Sequence, residues 1–480
     1  MTRTRFAPSP TGFLHVGGVR TALFAWLVAR QTDGQFVLRI EDTDKNREVA
    51  GSENHIFESL NWLGLEWDEG PDKGGAESYR QSERLPIYRA WAKKLLEGDR
   101  AYADPYSPEE LNELRRGASA AKQPFLFREH RPQNPPAWTE GRPLRFKSDP
   151  KIYEWKDAVM GELSTGPEAV DDYILIKSDG FPTYNFAHII DDYLMNISHV
   201  IRSQEFLPSV PKFLNLYEAL NFTPPILATL PYVMRPDGKK KLSKRDGAKD
   251  ILDYRNEGYL PAALINFLAT LGWNDGSEQE IFSLIELEEK FSLDRVQKSG
   301  ARFDEERLRW MNGHYIRHTE LHKLQGIVEE YWPAPAKKYS REYRAKVLGL
   351  IQERLKYFAE IPELSHFFFT EPEEQAILNL YKNPTDKQLK EKDSSAFIEM
   401  LKKATSVLEQ SDFKYDDIVK RLNETLRLLN TKPAMLFPVI RIAITGSKNS
   451  PELFGTLVTL GKETGLKRLR QALGYLEKQT

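Results

Sequence analysis

Two short stretches combine residue types suited to phosphate chemistry. The first is Gly12-Phe13-Leu14-His15-Val16-Gly17-Gly18. Glycines let a backbone approach an anion closely, and a helix starting here offers free N–H groups and the positive end of its dipole. His15 stands where its imidazole can hydrogen-bond a phosphate oxygen. Gly12 and Gly17 have the spacing of a Walker loop, but Gly18 and Val19 replace its Lys and Ser/Thr, and no GxGxxG is present. By itself the stretch fits a tight turn with a satisfied histidine equally well. The second stretch is Lys239-Lys240-Lys241-Leu242-Ser243-Lys244-Arg245-Asp246-Gly247, after Pro236-Asp237-Gly238. Alone, such a run is a solvated surface or a non-specific polyanion site. Combined with a strand–loop–helix phosphate site it gains a sharper meaning. A lysine loop can cover a triphosphate and neutralise charge that develops as phosphate is displaced.

The flanking elements must hold these groups. Arg3 to Ala7 reads as a short strand that Pro8-Ser9-Pro10-Thr11-Gly12 stops. From Val19 the apolar positions Val19, Ala22, Leu23, Trp26 and Leu27 have helical spacing, and Asp33-Gly34 ends the helix. Gln35 to Ile40 is mostly apolar, like a strand covered on both faces. A strand–helix–strand unit predicts a parallel sheet, with ligands beyond the carboxyl ends of its strands. Arg5 to Gly18 and Glu41 to Asp44 lie at those ends. Residues 120–150 are proline-rich and read as part of an insertion. Asp172 to Ile176 and then His199 to Arg202 form a second sheet-like stretch, which suggests that the first fold resumes. From about residue 251 the pattern turns helical, with Leu260, Ala263, Leu264, Phe267, Leu268 and Leu271 in one stripe closed by Gly272.

His15-Val16-Gly17-Gly18 resembles the HIGH signature of class I aminoacyl-tRNA synthetases, and Lys241-Leu242-Ser243-Lys244-Arg245 resembles their KMSKS loop. The wider text resembles the bacterial-type glutamyl branch. It includes Arg5 to Gly12, Leu38-Arg39-Ile40-Glu41-Asp42-Thr43-Asp44, Asp179 to Phe186, Asp191-Asp192, Val200-Ile201-Arg202, Gly258-Tyr259-Leu260-Pro261, Leu271-Gly272-Trp273 and Arg441 to Gly446. The resemblance implies ATP-dependent joining of L-glutamate to the tRNA for glutamate through a glutamyl-adenylate, and it leaves the tRNA for glutamine open. It implies a Rossmann-like α/β catalytic domain with a parallel sheet, split as 1–86 and 188–250, around an inserted α+β acceptor-binding domain at 87–187. A stem-contact helical domain at 251–320 and a helical anticodon-binding region at 321–480 would follow.

The resemblance also gives roles to residues. Arg5 and Arg202 would hold the glutamate side-chain carboxylate, for which an arginine fork suits best. Glu41 would meet the substrate ammonium, with Ser9 and Tyr184 as neutral hydrogen-bonding groups. A salt bridge between Arg5 and Glu41 at neighbouring strand ends is an alternative, compatible use of that pair. His15, Lys241 and Lys244 would stabilise phosphate, and Gly12, His15, Gly17, Gly18, Leu242, Ser243 and Lys244 would contact ATP, which brings Mg²⁺ with it. A glutamyl-queuosine-type paralogue shares the catalytic half but resembles a truncated form, and this chain retains the additional length.

Composition agrees with a globular enzyme. The chain has 480 residues, 40% apolar and 29% charged, with a net charge of −2. A polyanion partner must therefore meet local basic patches. There is no cysteine, which excludes disulfides, Cys-ligated zinc, iron–sulfur clusters and thiol nucleophiles. Many relatives place a zinc-binding cysteine cluster in the insertion; Tyr102 to Pro108 has no thiol, so zinc is not expected. After Arg202 the family usually shows a small residue and two acids, whereas this chain has Ser203-Gln204-Glu205. His188 follows Tyr184 by one helical turn and is expected to be structural. His314, His318 and His322 have metal-ligand spacing on a helix but read as a polar face. Lys462, Lys467, Arg468, Arg470 and Lys478 form a local basic bias suited equally to RNA phosphates and to a solvated helix. No signal-peptide core or membrane span is seen, so the expectation is a cytoplasmic protein, by default a monomer.

Overall fold

Arg3–Phe6 forms β1 and Gln35–Leu38 forms β2, parallel in the register Arg3↔Gln35 to Phe6↔Leu38. Helix α1, Val16–Gln31, connects them. It starts at Val16, within the Gly12–Gly18 stretch, and His15 caps it: the Nδ1 atom accepts from Gly17 N at 3.0 Å. The stripe Val19, Ala22, Leu23, Trp26 and Leu27 is buried, as its spacing predicts. The structure, a computed structural model, describes residues 1–74, 78–243, 249–384, 389–390 and 392–479.

Helices α2 (Ser52–Leu63) and α3 (Leu85–Glu97) come next. After them β3 (Ala101–Ala103), helix α4 (Pro108–Ala120), β4 (Leu144–Phe146), the hairpin β5 (Tyr153–Asp157) with β6 (Gly161–Thr165), and β7 (Ile174–Ile176) follow. The expectation that the first fold resumes at Asp172–Ile176 is corrected: this stretch does not join the first sheet. β7 pairs antiparallel with β4, which pairs antiparallel with β3. Burial explains it: Leu144, Phe146, Leu175 and Ile176 share one core with Tyr88, Ala92 and Leu95 of α3. Asp172 is a buried hub there, accepting from Tyr102 Oη at 2.7 Å, Ser148 Oγ at 2.7 Å and Arg131 Nη2 at 2.6 Å.

Helix α5 (Tyr184–Leu194) leads back to β8 (His199–Ser203), which does resume the first layer. Ser198 N donates to Arg3 O at 2.9 Å, and Arg3 N donates to Ser198 Oγ at 2.7 Å, so β8 lies beside β1. After α6 (Val210–Ala219), β9 (Ile226–Leu230) pairs parallel with β8, and the sheet runs on to β5 and β6. Helices α7 (Ile251–Asn256) and α8 (Pro261–Ala269) follow. The buried stripe Ala263, Leu264, Phe267 and Leu268 packs α8 on α1. Gly272 ends it at φ 87°, where a β-carbon would stand 3.0 Å from Arg20 Nη2.

The chain divides into two compact units, Met1–Arg255 with Pro261–Glu305, and Asn256–Leu260 with Glu306–Thr480. The second is helical. Within it Arg468, nearly inaccessible, donates to the carbonyls of Phe367 at 2.8 Å, Ile444 at 2.7 Å and Thr370 at 2.9 Å. These carbonyls belong to the C-terminal ends of helices Ile361–Phe369 and Pro433–Thr445, where backbone acceptors lack helical partners. Arg441 similarly reaches Ser450 O and Pro451 O, tying down the turn after Gly446. Lys467 pairs with Glu371, Arg470 with Glu409, and Lys462 donates to Ser411 O, so these members of the basic bias have partners within the chain. His314 stacks on His318 and His322 pairs with Glu320. Among the described residues no group of three or more His, Cys, Asp or Glu could hold a metal ion, and no helix is long and apolar enough to cross a membrane.

Candidate active site

The carboxyl ends of β1, β2, β8 and β9 open onto a cleft of about 800 Å³. Its position follows from the parallel arrangement of those strands. Arg5, Ser9, His15, Gly17, Gly18, Glu41, Tyr184, Arg202, Lys241 and Leu242 all line it. Gly12 and Ser243 are not lining residues; the Gly12 carbonyl accepts from Ser52 Oγ at 2.8 Å. Lys244 lies outside the described residues.

At the histidine end, the cap bond fixes a tautomer. Nδ1 accepts the Gly17 N–H, so a neutral His15 carries its proton on Nε2 and is a donor there. The first turn of α1 holds no acidic residue, which leaves the dipole end free to attract an anion. The glycines are needed for space. A β-carbon on Gly18 would stand 2.7 Å from Leu14 Cδ1, and one on Gly17 would stand 3.0 Å from His15 Cε1. Lys241 forms an ion pair with Glu205 and sits 5.0 Å from the centre of the Tyr232 ring.

The opposite end is a buried charge network. Arg5 and Glu41 do not pair with each other, which corrects the strand-end salt bridge. Arg5 Nε donates to Asp192 Oδ1 at 3.0 Å, and Glu41 Oε1 accepts from Arg39 Nη2 at 3.1 Å. Arg39 intervenes because it lies two residues before Glu41, on the same side of the extended chain. Its Nη1 also reaches Asp192 Oδ1 at 2.8 Å. Burial alone would raise the Asp192 carboxyl, yet Arg5 and Arg39 hold it well below the usual carboxylate range. Burial raises the Glu41 carboxyl, and Arg39 and Arg5 offset only part of that. Glu41 is therefore a buried acid still short of positive charge.

Arg202 is buried, 6% exposed, and its Nε and Nη1 atoms have no hydrogen-bond partner among the described residues. Its guanidinium lies 5.1 Å from the Phe213 ring centre and 5.7 Å from that of Phe206. Leaving such donors unmet costs roughly 1–3 kcal/mol each, more for a charged group. His188 is half satisfied: Nδ1 donates to Tyr184 O at 2.7 Å, its ring stacks on Tyr184 at 4.6 Å, and Nε2 has no hydrogen-bond partner. Burial, then Arg202, pushes its pKa well down, so it is neutral.

The sequence matches the model of the class I tRNA synthetase (E and Q) catalytic domain over residues 1–310, and that of an anticodon-binding domain over residues 322–473. A glutamate–tRNA ligase of Dehalococcoides mccartyi is 41% identical, over 99% of this chain and 97% of the relative. The chain belongs to the glutamate–tRNA ligase family. Another member, from Moorella thermoacetica, is 39% identical over 99% of this chain and 98% of its own length. The solved structure of a glutamate–tRNA ligase from Elizabethkingia meningosepticum, in complex with its amino acid, superposes with a TM-score of 0.86. It is 33% identical and covers 98% of this chain and 99% of its own. The family accounts for a class I catalytic fold followed by a helical anticodon-binding domain.

Several residues at and behind the cleft carry no separate signal in the sequence. Arg39 and Asp192 do not line it but hold Arg5 and Glu41 from behind. Lys177 lines the cleft and donates to Thr43 O at 3.2 Å, and Tyr232 carries the face on which Lys241 sits. Glu205, the acid remaining after the change to Gln204, is the one that reaches Lys241.

Proposed function

We propose that this cleft activates L-glutamate with ATP and that the chain passes the glutamyl group to the 3′ end of the tRNA for glutamate. Arg202 carries the reading. A buried guanidinium with two unmet donors, in the same cleft as a buried acid short of positive charge, suits a substrate bearing both a carboxylate and an ammonium. Each charge-assisted hydrogen bond would contribute roughly 1.5–3 kcal/mol. The substrate side chain takes Arg202 and Arg5, its ammonium takes Glu41, and Ser9 and Tyr184 orient it. Glutamine would leave a guanidinium poorly paired and is rejected on that ground.

The glutamate α-carboxylate attacks the α-phosphate of ATP in line, the bond to the β-phosphate oxygen breaks, and pyrophosphate leaves. Nε2–H of His15, the N-terminus of α1, Lys241 and Lys244 stabilise the charge that shifts onto the phosphates, with Gly12, Gly17, Gly18, Leu242 and Ser243 shaping the nucleotide site. Mg²⁺ enters with ATP. A ribose hydroxyl of the terminal adenosine then takes the glutamyl group, and AMP leaves. Positioning and charge stabilisation suffice, and no covalent nucleophile is needed. Residues 87–187 hold the acceptor stem, 251–320 the stem, and 321–480 the anticodon. The protein acts as a cytoplasmic monomer.

Charging of purified tRNA for glutamate and for glutamine, side by side, tests this. Charging of the first supports the reading. Charging of both adds glutamine tRNA as a substrate. Charging of neither by folded protein defeats it.

A further inference from the structure

We propose that His55 is a positioning residue that aims His15, an inference that rests on the phosphate-facing role given to His15 above. His55 lies on α2, buried, and does not line the cleft. Its ring stacks on Phe13, with centroids 4.7 Å apart and 16° between the planes. Leu14 N donates to its Nδ1 at 3.3 Å, and Ser59 Oγ stands 3.3 Å from the same atom. A backbone N–H can only donate, so Nδ1 is bare and the ring proton is on Nε2. That N–H stands 3.3 Å from Asp250 Oδ1, where the neutral ring's polar N–H meets the carboxylate as a dipole meets a charge, off the line of a hydrogen bond.

Asp250 in turn is fixed at the start of α7. Asp253 N donates to its Oδ1 at 3.1 Å, and its own N donates to Asp253 Oδ2 at 3.2 Å. Ile251 N donates to Leu14 O at 3.0 Å, and His15 and Asp250 form an antiparallel bridge. One imidazole thus grips the residue before His15 on one side and the entry to α7 on the other. The α1 cap constrains His15 through Gly17, and His55 constrains it through Leu14. With both contacts the Nε2–H direction is set before substrate arrives, which is the condition under which a donor stabilises developing charge. A displacement of about 1 Å in such a group can cost up to roughly a hundredfold in rate.

The test is tRNA-supported, glutamate-dependent pyrophosphate exchange by the full chain, for wild type, H55F, H55N, H15A and the H15A/H55F pair. H55F keeps the stacking and loses both polar contacts. It is expected to lower kcat about tenfold and leave the glutamate KM within about twofold, since the glutamate groups lie at the other end of the cleft. H55N, whose Oδ1 can accept the Leu14 N–H, should recover most of the rate. Because His55 acts through His15, adding H55F to H15A should cost less than about twofold. A tenfold cost persisting in the H15A background overturns the proposal, as does a matching rise in glutamate KM or an unimpaired H55F. An H15A enzyme at full rate would overturn the role of His15 itself and this proposal with it. Should H55F fail to fold, H55L, which has no hydrogen-bonding atom in its side chain, runs the same cycle with the same expected outcomes.

Discussion

Arg202 in the catalytic unit and Arg468 in the helical unit are the same residue type at nearly the same burial, 6% and 3% exposed. Their donors are spent differently. Arg468 gives three hydrogen bonds to carbonyls at two helix ends and leaves Nε without one, whereas Arg202 has two nitrogens with no hydrogen-bond partner among the described residues and two aromatic rings for neighbours. A buried cation that meets its own chain is a fastener. One that is desolvated and left open is a receptor awaiting an anion. Burial alone does not separate the two; the bookkeeping of donors does.

Replacing Arg202 by Ala should break the contrast most visibly. The glutamate KM should rise roughly a hundredfold, the equivalent of one or two charge-assisted bonds, while the melting temperature falls little or not at all because no intrachain hydrogen bond from its Nε or Nη1 is lost. Steady-state kinetics with varied glutamate and a thermal melt measure both sides. Normal saturation by glutamate would remove Arg202 from the pocket.

Arg468→Met is the mirror experiment, with the next largest effect. It leaves three carbonyls unmet at two helix ends and should cost about 3 kcal/mol, on the order of 5–10 °C in the melting of a unit this size. The glutamate KM should stay at the wild-type value. A large KM change without loss of stability would erase the distinction drawn between the two arginines.

The sequence made different parts of this arrangement legible to different degrees. The β1–α1–β2 unit could be read because apolar spacing, a proline stop and an Asp-Gly stop all agree on it. That α1 opens within Gly12–Gly18 was legible too, but its cap was not, because a histidine, rather than Ser, Thr or Asp, supplies it. β7 was misassigned because a three-residue apolar strand looks the same in a parallel or an antiparallel sheet, and only its partner β4 decides. At the site, the residue types were legible through motif resemblance: ten of the suggested residues line one cleft. Their pairings were not. Arg5 meets Asp192 from a helix far along the chain, and Arg39 stands between Arg5 and Glu41, neither of which spacing can reveal. His55 carried no signal at all, since the contacts that matter are to a backbone N–H and to a residue distant in sequence, and Ser59 one turn on is an ordinary helix neighbour.

Glu41 refines the comparison from the acidic side and should give the smallest of these effects. It is a buried carboxyl whose pKa burial raises above the ordinary 4.5, with Arg39 only partly compensating. The substrate ammonium needs the ionised form. Binding therefore favours carboxylate, and protonation of Glu41 opposes binding. As pH falls through the raised Glu41 value the glutamate KM should climb, beginning at a higher pH than an exposed glutamate would produce. The substrate's own side-chain carboxyl, near pKa 4.3, adds a second rise only at lower pH. E41Q should carry a higher KM at neutral pH, by roughly tenfold for one lost charge-assisted bond, and a profile that stays flat until the substrate carboxyl titrates. The measurement is glutamate KM from pH 8 down to the acid limit of folding for both proteins. Parallel profiles would show that the group sensed by pH is not Glu41, and Arg39 would then be its sole partner, making the pair another fastener of the Arg468 kind.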